Sequence, residues 1–236
     1  MNVSRFSSRQ VASLAALSTL AIGITDATAA SLPERVTFAS ADGRTTLIGY
    51  VFKPEAPHAA RTPAVVMMHG RAGAYSSAAK GTYQASTLSK RHQQWGHIWA
   101  QQGYLAILVD GFGPRGYPNG FPRFSYDSRP EELNEVTVRP LDAYGALAYL
   151  RTRTDVVADR IALQGSGDEE VSPKRCAELV AKSQAIGGDI QLQLYPDAAH
   201  GFDDPTASHQ RVPANAQATR DAIPRAIAFF AGVLKP

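Results

Sequence analysis

The sequence predicts an α/β protein: a mostly parallel sheet flanked by helices, with an N-terminal antiparallel hairpin. Three observations predict it. Short continuous apolar runs ("AVVMMHG", "YLAILVDG", "RIALQG") read as strands buried on both faces, as parallel strands are. Helical stretches alternate with them, as crossover helices between parallel strands require. Finally, 236 residues with 44% hydrophobic and 19% charged side chains suffice for a core in one domain and argue against disorder.

Residues 1–30 stand apart from that domain. Arg5 and Arg9, the apolar run "VASLAALSTLAIGI" and the small residues "ATAA" form the pattern of a signal peptide, with cleavage expected near Ala29 or Ala30. The run is too short and too rich in Ser and Ala for a membrane span. A periplasmic or secreted domain over 31–236 is therefore expected, with no membrane contact after cleavage. Removing Arg5, Arg9 and Asp26 takes the net charge from +3 to 22 − 20 = +2, too little for a nucleic-acid footprint. A single cysteine, Cys176, excludes an internal disulfide, so the core must hold the fold.

The elements follow in order. "RVTFAS" and "TTLIGYVFKP" flank the turn "ADG" and read as the hairpin. "PHAARTP" is a loop before the first buried strand, "AVVMMHG". A helix runs through "STLSKRHQQWGHIWAQQG" and stops at Gly103. "YLAILVDG" is the second buried strand. "FGPRGYPNGFPRFSYDSRP" is a loop long enough to line a site. "EELNEVTVRPLDAYGALAYLRTR" is helical, with Pro140 starting or kinking its main segment. "RIALQG" is the third buried strand, "SPKRCAELVAKSQAIGG" a helix, "IQLQLYP" a further strand and "ATRDAIPRAIAFFAGVLK" the terminal helix. A sheet of this kind builds its sites at the carboxyl edge of its strands.

Three chemistry-bearing phrases stand at strand ends: "MMHGRAG", "GSGDEEVSP" and "DAAHGF". A donor loop, an acid and a histidine in that chain order match the α/β-hydrolase arrangement. With "YLAILVDGFGPRG", "DEEVSPKRC" and "YPDAAHGFD", the ordered set resembles the dienelactone hydrolase family, secreted branch, across nearly the whole mature chain. The resemblance implies an α/β-hydrolase fold and a small-molecule ester or lactone substrate, without cofactor or metal. It implies that Asp168 orients the histidine, that His200 is the general base, and that the loop at Gly70 and Arg71 supplies an oxyanion hole. A nucleophile needs such a base in reach, the base needs a carboxylate to fix its tautomer, and backbone N–H groups must face the developing oxyanion.

One part is missing. No G-x-S-x-G or G-x-C-x-G occurs in the chain. In the family, a strand resembling "RIALQG" runs into that elbow, and further strand–helix units precede the acid loop. Here "RIALQG" joins "SGDEEVSP" directly, which implies a reduced fold with an internal deletion near 165–166 of roughly sixty residues, two strand–helix units. Ser166 is open to two readings, a turn residue or a relocated nucleophile. Its place two residues from Asp168 would crowd both on one side of His200, which favours the turn.

Other residues have plainer readings. Cys176 lies inside a helix and reads as structural, and Ser76 and Ser77 read as loop polarity. Asp110 either braces its turn with Arg115 or touches substrate. Tyr117, Phe121, Phe124 and Tyr126, interleaved with Arg115 and Arg123, form a packed loop or a pocket wall. His92 and His97 do not share a helical face and so do not suit a metal. Asp203–Asp204 alone make a weak calcium site. For the reduced sheet, the sequence predicts that "RIALQG" pairs with "IQLQLYP" through the intervening helix, with dimerisation across a gapped sheet as the alternative.

Overall fold

A computed structural model describes residues 31–54, 59–165, 173–185, 187 and 192–234. Strands β1 (Glu34–Ala39) and β2 (Thr46–Phe52) form the expected antiparallel hairpin. Its turn is set by Asp42, whose carboxylate accepts from the Arg44 and Thr45 N–H groups at 2.8 and 2.9 Å. β3 (Thr62–Met68), β4 (Leu105–Asp110) and β5 (Val156–Gly165) complete a five-stranded sheet of order β1-β2-β4-β3-β5. β3 is parallel to both β4 and β5, whereas β2 meets β4 antiparallel.

All six residues of β4 are buried, as its unbroken apolar run requires. Alternation divides them between two cores. Ala106 and Leu108 face helices α1 (Lys90–Gln101) and α5 (Pro213–Leu234), where Trp95, Trp99 and Phe230 pack. Leu105, Ile107 and Val109 face α2 (Arg139–Thr152), through Ala146 and Leu150. α1 begins one turn later than expected, because Ser89 caps it by accepting from the His92 N–H at 3.3 Å. α2 starts at Arg139 and carries Pro140 in its first turn, where a missing N–H costs nothing. α5 is longer than expected, starting at Pro213. The remaining helices are α3 (Pro173–Ala185) and the single turn α4 (Ala207–Gln210).

Two expectations change at the end of the sheet. β5 is an edge strand among the described residues, and half-exposed rather than buried, with Leu163 57% exposed. Its register also breaks: Thr62 pairs with Val156 and Ala64 with Ile161, leaving Val157–Arg160 opposite Pro63. A proline has no N–H for the ladder, so the strand bulges there. The strand expected at "IQLQLYP" does not appear among its described residues, since 192–195 have no regular structure and Leu192 and Leu194 stay 39% and 46% exposed; residues 190 and 191 lie outside the described ones. An alternating Leu/Gln segment becomes a strand only with a ladder partner and a cover for its apolar face. The junction at Ser166 and the acid Asp168 lie outside the described residues, as does the Cys176 side chain.

Candidate active site

The carboxyl ends of β3 and β4 are adjacent, and the chemistry gathers there. β3 runs into His69–Gly70–Arg71. The His69 imidazole is 3% exposed, with Nδ1 2.7 Å from the Gly70 carbonyl and Nε2 accepting from the Gly111 N–H at 3.2 Å. A carbonyl only accepts and an N–H only donates, so the proton sits on Nδ1 and the ring is neutral. Burial, then the nearby Arg139 charge, holds its pKa well below the usual value. The ring braces the Gly70–Gly73 loop from behind.

The Gly70–Gly73 loop is also clamped from the front. Phe121 N–H donates to the Arg71 carbonyl and the Arg71 guanidinium donates to the Phe121 carbonyl, both at 2.8 Å. Gly120 makes this approach possible: at φ +66°, a Cβ there would stand 2.4 Å from the Arg71 carbonyl oxygen. The 111–130 loop is thus a packed loop in its first half, with Phe121 against Phe112 and Tyr117. Phe124 is exposed, and Arg123 reaches the cavity.

Asp110 braces its own turn, accepting from the Phe112 and Gly113 N–H groups at 3.1 and 2.8 Å and from the Tyr75 hydroxyl at 2.8 Å. Burial raises its pKa. It does not pair with Arg115, however. That guanidinium grips Asp142 with two bonds of 2.8 and 2.9 Å and Asp42 with one of 2.8 Å. Burial alone would raise the Asp42 pKa, but hydrogen bonds from Arg44, Thr45 and Arg115 outweigh it and hold the group well below the carboxylate range.

His200 is delivered by a loop tied to α1. The carboxylate of Asp203, 4% exposed, accepts from Trp95 Nε1 at 2.7 Å and from Arg91 Nε at 2.9 Å. Asn215 of α5 accepts from the Ala199 N–H at 2.8 Å on the other side. Asp203 is therefore a tether, and among the described residues no group of three or more His, Cys, Asp or Glu could hold a metal.

These elements enclose one cavity of about 200 Å³ lined by Gly70, Arg71, Tyr75, Ser89, His92 and His200. Arg91, Arg123, Asp204 and His209 complete its charged rim. His200, Gly70 and Arg71 therefore line one cavity. A smaller cavity of about 30 Å³ behind it places Gln164 and Gly165, the end of β5, beside Arg91 and His92.

Ser89 and His92 were not singled out as a pair by the sequence. The only signal was their i, i+3 spacing at a helix start. His92 Nδ1 lies 2.8 Å from Ser89 Oγ and 3.0 Å from the Ala74 carbonyl. The carbonyl requires the proton on Nδ1, so Ser89 accepts from the ring and cannot hand it a proton. Burial lowers the His92 pKa to about 4, with the Ala74 carbonyl only partly opposing.

A pH dependence follows. His92 is neutral when folded but titrates near 6.5 when unfolded, so stability is complete above 6.5 and lost as pH falls toward 4. The loss from this group should be on the order of 3 kcal/mol. Urea midpoints at pH 7 and 4.5 should show His92→Gln with the shallower acid slope. Parallel slopes would count against it.

Comparison with known proteins follows the same lines. Residues 141–234 match the model of the Dienelactone hydrolase family. A dienelactone hydrolase-like promiscuous phosphotriesterase from metagenomic libraries has the same fold, with a TM-score of 0.63 at 15% identity over 86% of this chain and 99% of that one. A protein assigned as a dienelactone hydrolase from Klebsiella pneumoniae gives 0.59 at 15% identity over 84% and 99%. No curated protein matches in sequence. The family match spans 94 of the 236 residues, and the two solved structures share the fold described above.

Proposed function

We propose that this hydrolase-like chain descends from a carboxylic-ester or lactone hydrolase and has weak or no turnover. One observation carries the reading. The cavity holds His200 and the Gly70–Arg71 loop, yet among the described residues neither hydroxyl lining it is an activated alcohol. Ser89 accepts from the protonated nitrogen of His92, and the Tyr75 hydroxyl donates to Asp110 while lying 2.8 Å from that of Tyr50. The absence of G-x-S-x-G and G-x-C-x-G supports it. Loss of a triad nucleophile costs on the order of a million-fold in turnover in a protease where it has been measured.

The chemistry retained is partial. His200 can accept a proton from water or an alcohol, Asp168 is the acid assigned to orient it, and the donor loop can polarise a carbonyl. The pattern of residues 1–30 supports export to the periplasm or medium, with cleavage near Ala29 or Ala30. A mature N-terminus at Ala30 or Ser31 is the expected result of N-terminal sequencing.

The test of function is covalent. A fluorophosphonate probe should fail to label the chain stoichiometrically, and hydrolysis of p-nitrophenyl acetate should stay near the buffer rate. Labelling that disappears in Ser166→Ala would establish a relocated nucleophile and overturn the proposal.

A further inference from the structure

The cavity at His200 does not end at the donor loop. Gly70 and Arg71 also line a second cavity of about 280 Å³, which passes Met68 and Arg139 to reach Pro140, Ala143 and Leu163. Those last three residues line a third cavity in turn, about 200 Å³, with Tyr144, Leu147 and Ile161. The three stand in series through these shared lining residues, from an end with Arg71, Arg123 and Asp204 beside His200 to an apolar end. The polar groups at the neck are already engaged: Arg139 donates to the His69 carbonyl at 2.7 Å and lies over the Phe112 ring, and Glu135 pairs with Arg129. Beyond them the walls carry only apolar side chains.

The walls come from regular structure. Pro140, Ala143, Tyr144 and Leu147 stand at i, i+3, i+4 and i+7 of α2, one stripe of the helix. Ile161 and Leu163 alternate onto the same face of β5, the strand without a second ladder partner among the described residues. Tyr144 and Leu163 are 60% and 57% exposed, large apolar surfaces left in water beside a site. From Pro140 to Leu147 the stripe runs about 10 Å, the length of an extended chain of on the order of eight carbons.

We propose that this groove takes the unbranched acyl chain of an amphiphile whose ester or carboxylate head lies in the His200 cavity. The proposal rests on the reading of that cavity as the ester site. Continuity through Gly70 and Arg71 carries it, together with the match between a cationic end and an anionic or carbonyl-bearing head. A second copy of this chain is the other occupant such a face could take, and the test separates the two.

The full chain is titrated calorimetrically with acetate, butanoate, hexanoate and octanoate. Affinity should rise about fourfold per methylene, so octanoate binds on the order of a hundredfold more tightly than butanoate. Ala143→Trp, which fills the groove, and Leu163→Asn, which makes its floor polar, should each remove most of that gain and leave butanoate unchanged. Equal affinity for butanoate and octanoate overturns the proposal, as does a length dependence that survives both variants. A dimer in sedimentation that Leu163→Asn converts to monomer assigns the groove to a second copy and overturns it too. 1-Octanol distinguishes the two readings: if it binds as well as octanoate and His200→Ala alters neither, the groove stands while the ester reading of the cavity fails.

Discussion

Replacing Asp142 with alanine should cost about 3–5 kcal/mol of stability, because a buried guanidinium loses two of its three carboxylate bonds and keeps only that to Asp42. The Asp142 carboxylate is fully buried and accepts from Arg115 twice and from the Ser40 hydroxyl at 2.8 Å. It joins α2 to the hairpin turn and to the loop after β4, three segments distant in sequence. Arg115 also donates to the Gly111 carbonyl at 2.7 Å, so the loss should reach the turn at the carboxyl end of β4. Chemical denaturation measures the effect. Asp142→Leu combined with Arg115→Met should cost less than Asp142→Ala alone, since no uncompensated charge remains between those two positions. A single-mutant cost below 1 kcal/mol would show that the network is not buried in solution.

Asp203→Ala should cost about 2–4 kcal/mol, from an unpartnered Trp95 N–H and a weakened Arg91. Its consequence lies in the site, because Asp203 ties the His200 loop to α1. Hydrogen exchange should speed up across residues 197–206, while the core strand β4 keeps its protection. Asp204→Ala is the control. That carboxylate accepts from the Thr206 N–H at 2.8 Å and lies 4.0 Å from His209 Nδ1 at the exposed rim, so little stability should be lost. Equal exchange in both variants would remove Asp203 from its tethering role.

Parts of this molecule could be read directly from local pattern. The hairpin, β3, β4 and the main helices follow from apolar period, turn residues and helix signals. Gly70 and Arg71 stand in a short phrase after a strand end, whereas His200 lines their cavity although the described residues before it form no strand. The contacts of Asp110 and Arg115 were legible only in kind: Asp110 does brace its turn, but Arg115 answers to Asp142 and Asp42. Asp203 looked like one of two adjacent acids, and nothing near it in sequence announces Arg91 and Trp95, more than a hundred residues away. Ser89 and His92 look like a helix cap. Only the Ala74 carbonyl, brought close by the fold, decides which nitrogen bears the proton.

The fate of β5 and of "IQLQLYP" shows the same division. Alternation at 190–196 is a local property, but a strand also needs a neighbour to accept its ladder and a layer to cover its leucines. The amino-acid order alone determined the secondary elements that carry their own periodicity, a resemblance to one family in short phrases, and the absence of a nucleophile motif. Tertiary packing determined where the sheet stops and which carboxylates meet which arginines. It also set an apolar groove against the Gly70–Arg71 loop that lines the His200 cavity. These outcomes depend on burial and charge pairing between distant segments, which no local window of the chain contains.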